Sequence, residues 1–143
     1  MIKGTAAFKA HIALAKLGNA SALREINEEI DQKDPRIQDI AIDKLYIVGG
    51  KPAFQKLYQL LDDTVPRDDP ACEASLKQLK RKHPEGGNCD LCCDLIYFTR
   101  SEMATWYLSK LANDPPTPRN HLASSKEIPL WKGWFRRHKE LLQ

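Results

Sequence analysis

The chain has 143 residues, of which 42% are hydrophobic and 29% charged, and its formal net charge is +3. This length suits one domain with a substantial core, and the composition excludes an intrinsically disordered chain. No apolar run approaches about 18 residues and the N-terminal segment lacks an uninterrupted hydrophobic region, so neither a membrane span nor a signal peptide is expected. We therefore expect a single cytoplasmic domain over residues 1–143 with no membrane contact.

The charge is divided unevenly along the chain. Residues 1–70 hold 10 Lys+Arg against 11 Asp+Glu, a net charge of −1, whereas residues 71–143 hold 12 against 8, a net charge of +4. Solvated helix faces explain basic runs of this size. A nucleic-acid surface is the alternative interpretation. The basic residues of that alternative are Lys77, Lys80, Arg81, Lys82, Arg136, Arg137 and Lys139.

An internal repeat organises the first half of the chain. Residues 10–31 align with residues 41–62 at an offset of 31, and Gly18 then falls on Gly49. Apolar residues recur at i, i+3, i+4 and i+7 within each unit, which is the spacing of amphipathic helices and not of strands. Each unit is therefore predicted to be a pair of helices joined at its glycine.

The residues at the corners of these pairs favour the same interpretation. Gly18 and Gly49 lie where the first helix of each unit should end, and glycine takes a positive φ there without steric cost. Asp34 is a natural N-cap, with Pro35 at the first helical position. The stretch "GGKP" lacks the preceding strand and the spacing of a phosphate-binding loop. It is predicted to be a corner between two helices.

The segment "DPRIQDIAIDKLYIVGGKPAFQKLYQLLDD" (34–63) resembles HEAT-like repeats of the short bacterial kind, which also occur in phycobilisome-lyase-like proteins. Residues 5–31 are a weaker copy, and 70–113 holds degenerate helical pairs with helices expected near 70–83, 88–98 and 101–113. The resemblance implies an all-α fold, a short right-handed α-α superhelix of the HEAT-like solenoid type.

The C-terminal residues predict a cap on this array. An extended linker is expected over 114–127, followed by a capping helix over 128–142, because the last unit of a repeat stack must cover its apolar face. The aromatic group Trp106, Tyr107, Trp131 and Trp134 is expected to belong to the core and the cap, with Tyr107 as its most exposed member. The side chains expected to lie over the last repeat are Leu130, Trp131, Trp134 and Phe135.

The cysteines leave three interpretations open. Four occur, at positions 72, 89, 92 and 93. Buried structural thiols are expected, since cysteine behaves as a small hydrophobic residue in most cores. A zinc site formed by Cys72, His83, Cys89 and Cys92 is the second interpretation, and a redox-active CxxC pair is the third. The histidines suggest no catalytic triad, and no cleft with an acid and aromatic residues can be placed, so neither an enzyme nor a cofactor is expected.

In stacks of helical pairs the second helices line the concave surface where partners usually bind. The apolar lines of the two second helices leave one set of side chains facing outward. These predicted partner-binding residues are Arg24, Asn27, Glu28, Gln55, Tyr58 and Gln59. The expected function is non-catalytic binding of a protein partner, as an adaptor, assembly factor or immunity-type inhibitor.

Overall fold

A computed structural model describes residues 4–65, 99–117 and 125–143. All of its regular elements in these ranges are helical, so the predicted all-α fold is confirmed for this part of the chain. The α-helices are α1 (Ala6–Lys16), α2 (Ala20–Ile30), α3 (Pro35–Val48), α4 (Gly50–Leu60), α5 (Arg100–Leu111) and α6 (Ile128–Arg137). Short 3-10 helices span Ser125–Glu127 and Lys139–Leu142. The helices predicted near 70–83 and 88–98 lie outside the described residues.

Side-chain caps determine where the first three helices begin. The Thr5 hydroxyl accepts a hydrogen bond from the Phe8 amide at 3.2 Å, and Asn19 Oδ1 accepts one from the Ala22 amide at 2.9 Å. Asp34 caps α3 as predicted, with its Oδ1 2.9 Å from the amide nitrogen of the second helical residue. Each cap satisfies an amide that has no partner inside its helix.

The two predicted glycine corners have the expected backbone conformation. Gly18 has a φ of 83° and Gly49 a φ of 65°. Non-glycine residues rarely adopt positive φ. Glycine at these positions therefore lets the chain reverse between α1 and α2 and between α3 and α4.

Helix α3 lies at the centre of the first four helices, because it packs against α1, α2 and α4. The apolar lines of α2 and α4 face inward, and Ile26, Ile30 and Leu57 are fully buried. Helix α5 then packs along α4, and α6 and the last 3-10 helix complete the core from the C-terminal side.

The C-terminal helix contributes large aromatic side chains to this core. Trp131, Trp134 and Phe135 are buried, whereas Leu130 is 51% exposed, contrary to the expectation that it would cover the last repeat. Leu130 lies at the edge of the buried line of α6, because successive helical residues are turned by about 100°. The segment expected to be an extended linker contains a 3-10 turn at Ser125–Glu127.

The expectation that Tyr107 would be exposed is wrong. Tyr107 is buried, its hydroxyl donates a hydrogen bond to Asp43 Oδ1, and its ring lies 5.6 Å from that of Tyr46. Met103 and Ala104 of α5 are buried beside it, and α3 supplies the two side chains that cover it. Trp106, the preceding residue, is only half-buried.

Replacing Tyr107 by phenylalanine is expected to lower the free energy of unfolding by about 1–2 kcal/mol, because Asp43 loses a hydrogen bond from a buried donor. Urea denaturation measures this change. The matched control is Tyr58→Phe, since no hydrogen bond of the Tyr58 hydroxyl occurs within the described residues and the change should cost little. Equal effects of the two variants would show that the contact to Asp43 contributes nothing.

None of the helices that the structure describes is long and apolar enough to cross a membrane.

Candidate protein-binding face

The α2 part of the predicted face is set by the buried line of that helix. Ala22, Ile26 and Ile30 are buried, so residues half a turn away point outward. Arg24 and Glu28 are accordingly exposed, with 70% and 68% of their side chains accessible, and they form a loose i,i+4 pair at 3.9 Å.

Asn27 differs from the other predicted residues of α2. It is half-buried, and its Oδ1 is fully buried without a hydrogen-bond partner in the described part of the chain. Its side chain is therefore turned toward the core, and only Arg24 and Glu28 of the three predicted residues on α2 are exposed.

The α4 part of the face centres on Tyr58. Phe54 and Leu57 are buried, Gln59 is exposed, and Gln55 and Tyr58 are half-buried. The Tyr58 ring lies edge-on to that of Phe135 in α6, with centroids 4.8 Å apart and an interplanar angle of 63°. Such edge-to-face pairs are favourable beyond the burial of area. The ring is thus held by the C-terminal helix while part of it stays accessible.

Ion pairs connect the two helices that carry the face. Lys56 Nζ lies 2.8 Å from Asp31 Oδ1, and only 8% of the lysine side chain is exposed. Arg100 of α5 lies 2.9 Å from Asp63 Oδ2 and donates further hydrogen bonds to the carbonyl oxygens of Asp31 and Gln32. The C-terminal end of α2 is thereby attached to both α4 and α5, which fixes the relative position of the two halves of the face.

Beneath α1 and α2 lies a buried charged cluster that the sequence reasoning missed. Lys44 of α3 has no exposed surface, and its Nζ lies 2.9 Å from His11 Nδ1 and 3.5 Å from Glu29 Oε2. An ammonium group can only donate, so Nδ1 accepts and the proton of a neutral imidazole is on Nε2. His11 Nε2 lies 3.1 Å from Glu25 Oε2, although the two groups are not aligned for a hydrogen bond.

A signal for these lysines does exist in the sequence. Lys44 follows Ala41 by three positions, and Lys56 follows Ala53 by three, so each lysine falls on the buried side of its helix. A lysine on an apolar helical line indicates a buried partner. The partners themselves, on α1 and α2, are distant in sequence and give no local signal.

The C-terminal segment also contacts the end of α4. Lys132 Nζ pairs with Asp62 Oδ1, and the Trp134 ring stacks 5.7 Å from that of Phe54. Trp134 Nε1 donates to the carbonyl oxygen of Asp114 at 3.1 Å. These contacts hold α6 against α4 beside Tyr58 and leave Gln59 exposed.

The zinc set Cys72, His83, Cys89 and Cys92 lies outside the residues that the structure describes. Within 4–65, 99–117 and 125–143, no cluster of three or more His, Cys, Asp or Glu side chains has a geometry suited to a metal ion. The basic residues at positions 77–82 are likewise outside the described ranges. Arg136, Arg137 and Lys139 are exposed on α6 and the last 3-10 helix.

Comparison with known proteins found no matching family model, no similar curated protein and no similar solved structure.

Proposed function

We propose that this chain is a non-catalytic protein-binding module, built as a short HEAT-like superhelix, that presents the outer sides of α2 and α4 to a protein partner. The observation that carries the proposal is the half-buried Tyr58 ring, held edge-on by Phe135 and flanked by Gln55 and Gln59. A fixed aromatic ring among amide side chains is typical of an interface anchor.

Preorganisation supports the same function. The core beneath the face is continuous from α2 to α6. The ion pairs Lys56–Asp31 and Arg100–Asp63 fix the distance between the α2 half and the α4 half of the face. A partner would therefore meet side chains that lose little conformational entropy on binding. An adaptor, an assembly factor and an immunity-type inhibitor are the roles in which such a preformed face is used.

The test is affinity capture from the lysate of the native host, with wild-type bait beside Tyr58→Ala and Gln59→Arg baits, identified by mass spectrometry at two salt concentrations. We expect one protein to be retained by wild type and lost, by about tenfold or more, with each variant, as for an interface hot spot. Gln59 is exposed, so its replacement changes the surface and not the core.

The matched control bait is Arg36→Gln, an exposed position on α3 outside the face. Because Tyr58 packs on Phe135, thermal unfolding of each bait must also be measured, and the Tyr58→Phe variant keeps the ring in place. Retention of the same protein by the folded Tyr58→Ala and Gln59→Arg baits would refute binding through α4.

Nucleic-acid binding is the alternative, favoured by one observation: Arg136, Arg137 and Lys139 are exposed together at the C-terminal end. Binding of this kind falls steeply as salt rises, because counterions are released from the phosphates. Capture of nucleic acid alone, released at the higher salt concentration and lost with Arg136→Gln/Arg137→Gln, would establish this alternative in place of the protein partner.

A further inference from the structure

Helix α1 exposes apolar side chains on the side turned away from the core. Phe8, Ile12 and Ala15 are buried, and Leu17 and Leu14 on the outer side are 85% and 47% exposed. Lysines occur only at the margin of this outer line. A helix at the end of a helical array normally carries a polar outer side. The outward line of α1 consists of the exposed residues Ala6, Ala10, Ala13 and Leu17.

Helix α2 exposes a pair of opposite charges beside this line. Arg24 and Glu28 lie one turn apart on its outer side and are mostly accessible. Two such helices packed antiparallel place each arginine opposite the other copy's glutamate, so the pair is complementary to itself under a twofold rotation. A single twofold axis must then pass near position 26, midway between the two charges.

Helices α1 and α2 form an antiparallel pair, in which the apolar line of α1 and the charge pair of α2 lie at the same level along the helix axes. His11 and Glu25, in contact at 3.1 Å, are each seven residues from Gly18, so α1 and α2 run antiparallel with position 36−i opposite position i. Position 26 of α2 therefore lies beside Ala10, the middle of the apolar line of α1. Both helices pack on α3, and their exposed lines both point away from it.

We infer that the outer layer formed by α1 and α2 is a self-association surface, and that its partner is a second copy of this chain. In the twofold arrangement α1 packs antiparallel on the partner's α1, with Ala10 at the axis and Ala6 opposite the partner's Leu14. Arg24 pairs with the partner's Glu28, and Glu28 with the partner's Arg24. Alanines at the contact allow the helix axes to approach closely.

The size of this surface predicts a weak dimer. Each helix has 11 residues, so the layer measures about 16 Å by 20 Å for two helices side by side. This is about 320 Å² on each copy and about 640 Å² in total, well below the roughly 1,200 Å² of stable complexes, so a weak and transient dimer is expected. In the dimer the outer side of α2 is covered by the second copy. The inference therefore narrows the proposed function to the α4 half of the face, which stays open to a different protein.

Sedimentation equilibrium over a concentration series tests the inference. We expect wild type to dimerise, and Arg24→Glu and Glu28→Arg each to weaken dimerisation by about tenfold or more, since each places like charges opposite one another. The double variant Arg24→Glu/Glu28→Arg is expected to dimerise again. A mixture of the two single variants should form heterodimers at concentrations where neither variant alone forms homodimers.

Arg137→Glu, an exposed charge reversal on α6, is the matched control and should leave dimerisation unchanged. Circular dichroism must show equal helicity for all variants. A monomer at every concentration, or a dimer that ignores both single charge reversals, would overturn the inference. Tyr58→Ala separates it from the proposed function, because that variant should lose the captured protein and still dimerise.

Discussion

Replacing Trp131 by alanine is expected to lower the free energy of unfolding by about 3–5 kcal/mol, the cost of truncating a buried aromatic residue. Trp131 has no exposed surface, and its ring lies 5.5 Å from that of Trp134 within the cluster that α6 adds to the core. The indole is too large for its neighbours to fill the space that it leaves. Urea denaturation followed by far-ultraviolet circular dichroism gives the change directly.

The matched control is Leu130→Ala, one residue earlier in the same helix. Leu130 is half-exposed, so this change should cost less than about 1 kcal/mol. Similar small effects of both variants would mean that α6 contributes little to the core, contrary to the packing. The Trp131→Ala variant is also expected to weaken partner capture, because the same helix supplies the Phe135 ring that holds Tyr58.

Replacing Lys44 by alanine is expected to lower the free energy of unfolding by about 3 kcal/mol, since it removes one member of a buried, charged cluster and leaves its partners unpaired. His11 Nδ1 loses its donor and Glu29 loses its cation. A cavity of about the size of the removed side-chain atoms forms beneath α1. Thermal and urea unfolding measure the loss.

Two further variants separate charge from packing at this site. Lys44→Met keeps most of the volume and should cost only roughly 1–2 kcal/mol, because His11 Nδ1 and Glu29 lose their partner without a cavity being formed. Lys9→Ala removes an exposed lysine from α1 and should be nearly neutral. If Lys44→Ala were as mild as Lys9→Ala, the lysine would have to be accessible to water, which contradicts its complete burial.

The buried cluster also bears on binding, because it lies beneath the helices that carry the exposed charges. Lys44 contacts the partly buried Glu29, and His11 contacts the exposed Glu25 at the side of α2, while Arg24 and Glu28 lie on its outer side. Helix α2 is therefore held in both position and rotation by polar contacts, so the proposed partner would meet one defined line of side chains.

The sequence by itself determined the helices and their corners in the first half of the chain. Apolar spacing is a local property, so it identified the buried lines of α2 and α4 without knowledge of their neighbours. Gly18, Gly49, Asp34 and Pro35 act through their own backbone and side-chain chemistry, and each occupies its predicted role. The outward position of Arg24, Glu28 and Gln59 followed from the same periodicity.

Only the tertiary structure decided how these helices meet. Lys44, Lys56 and Arg100 have partners that are distant in the chain, and periodicity cannot identify which helix supplies the opposite charge. Tyr107 was misplaced for the same reason, because its burial depends on Asp43 and Tyr46 of another helix. The rotation of a helix about its axis, and so which aromatic side chain is covered, is settled by packing between elements and not by the propensity of either one.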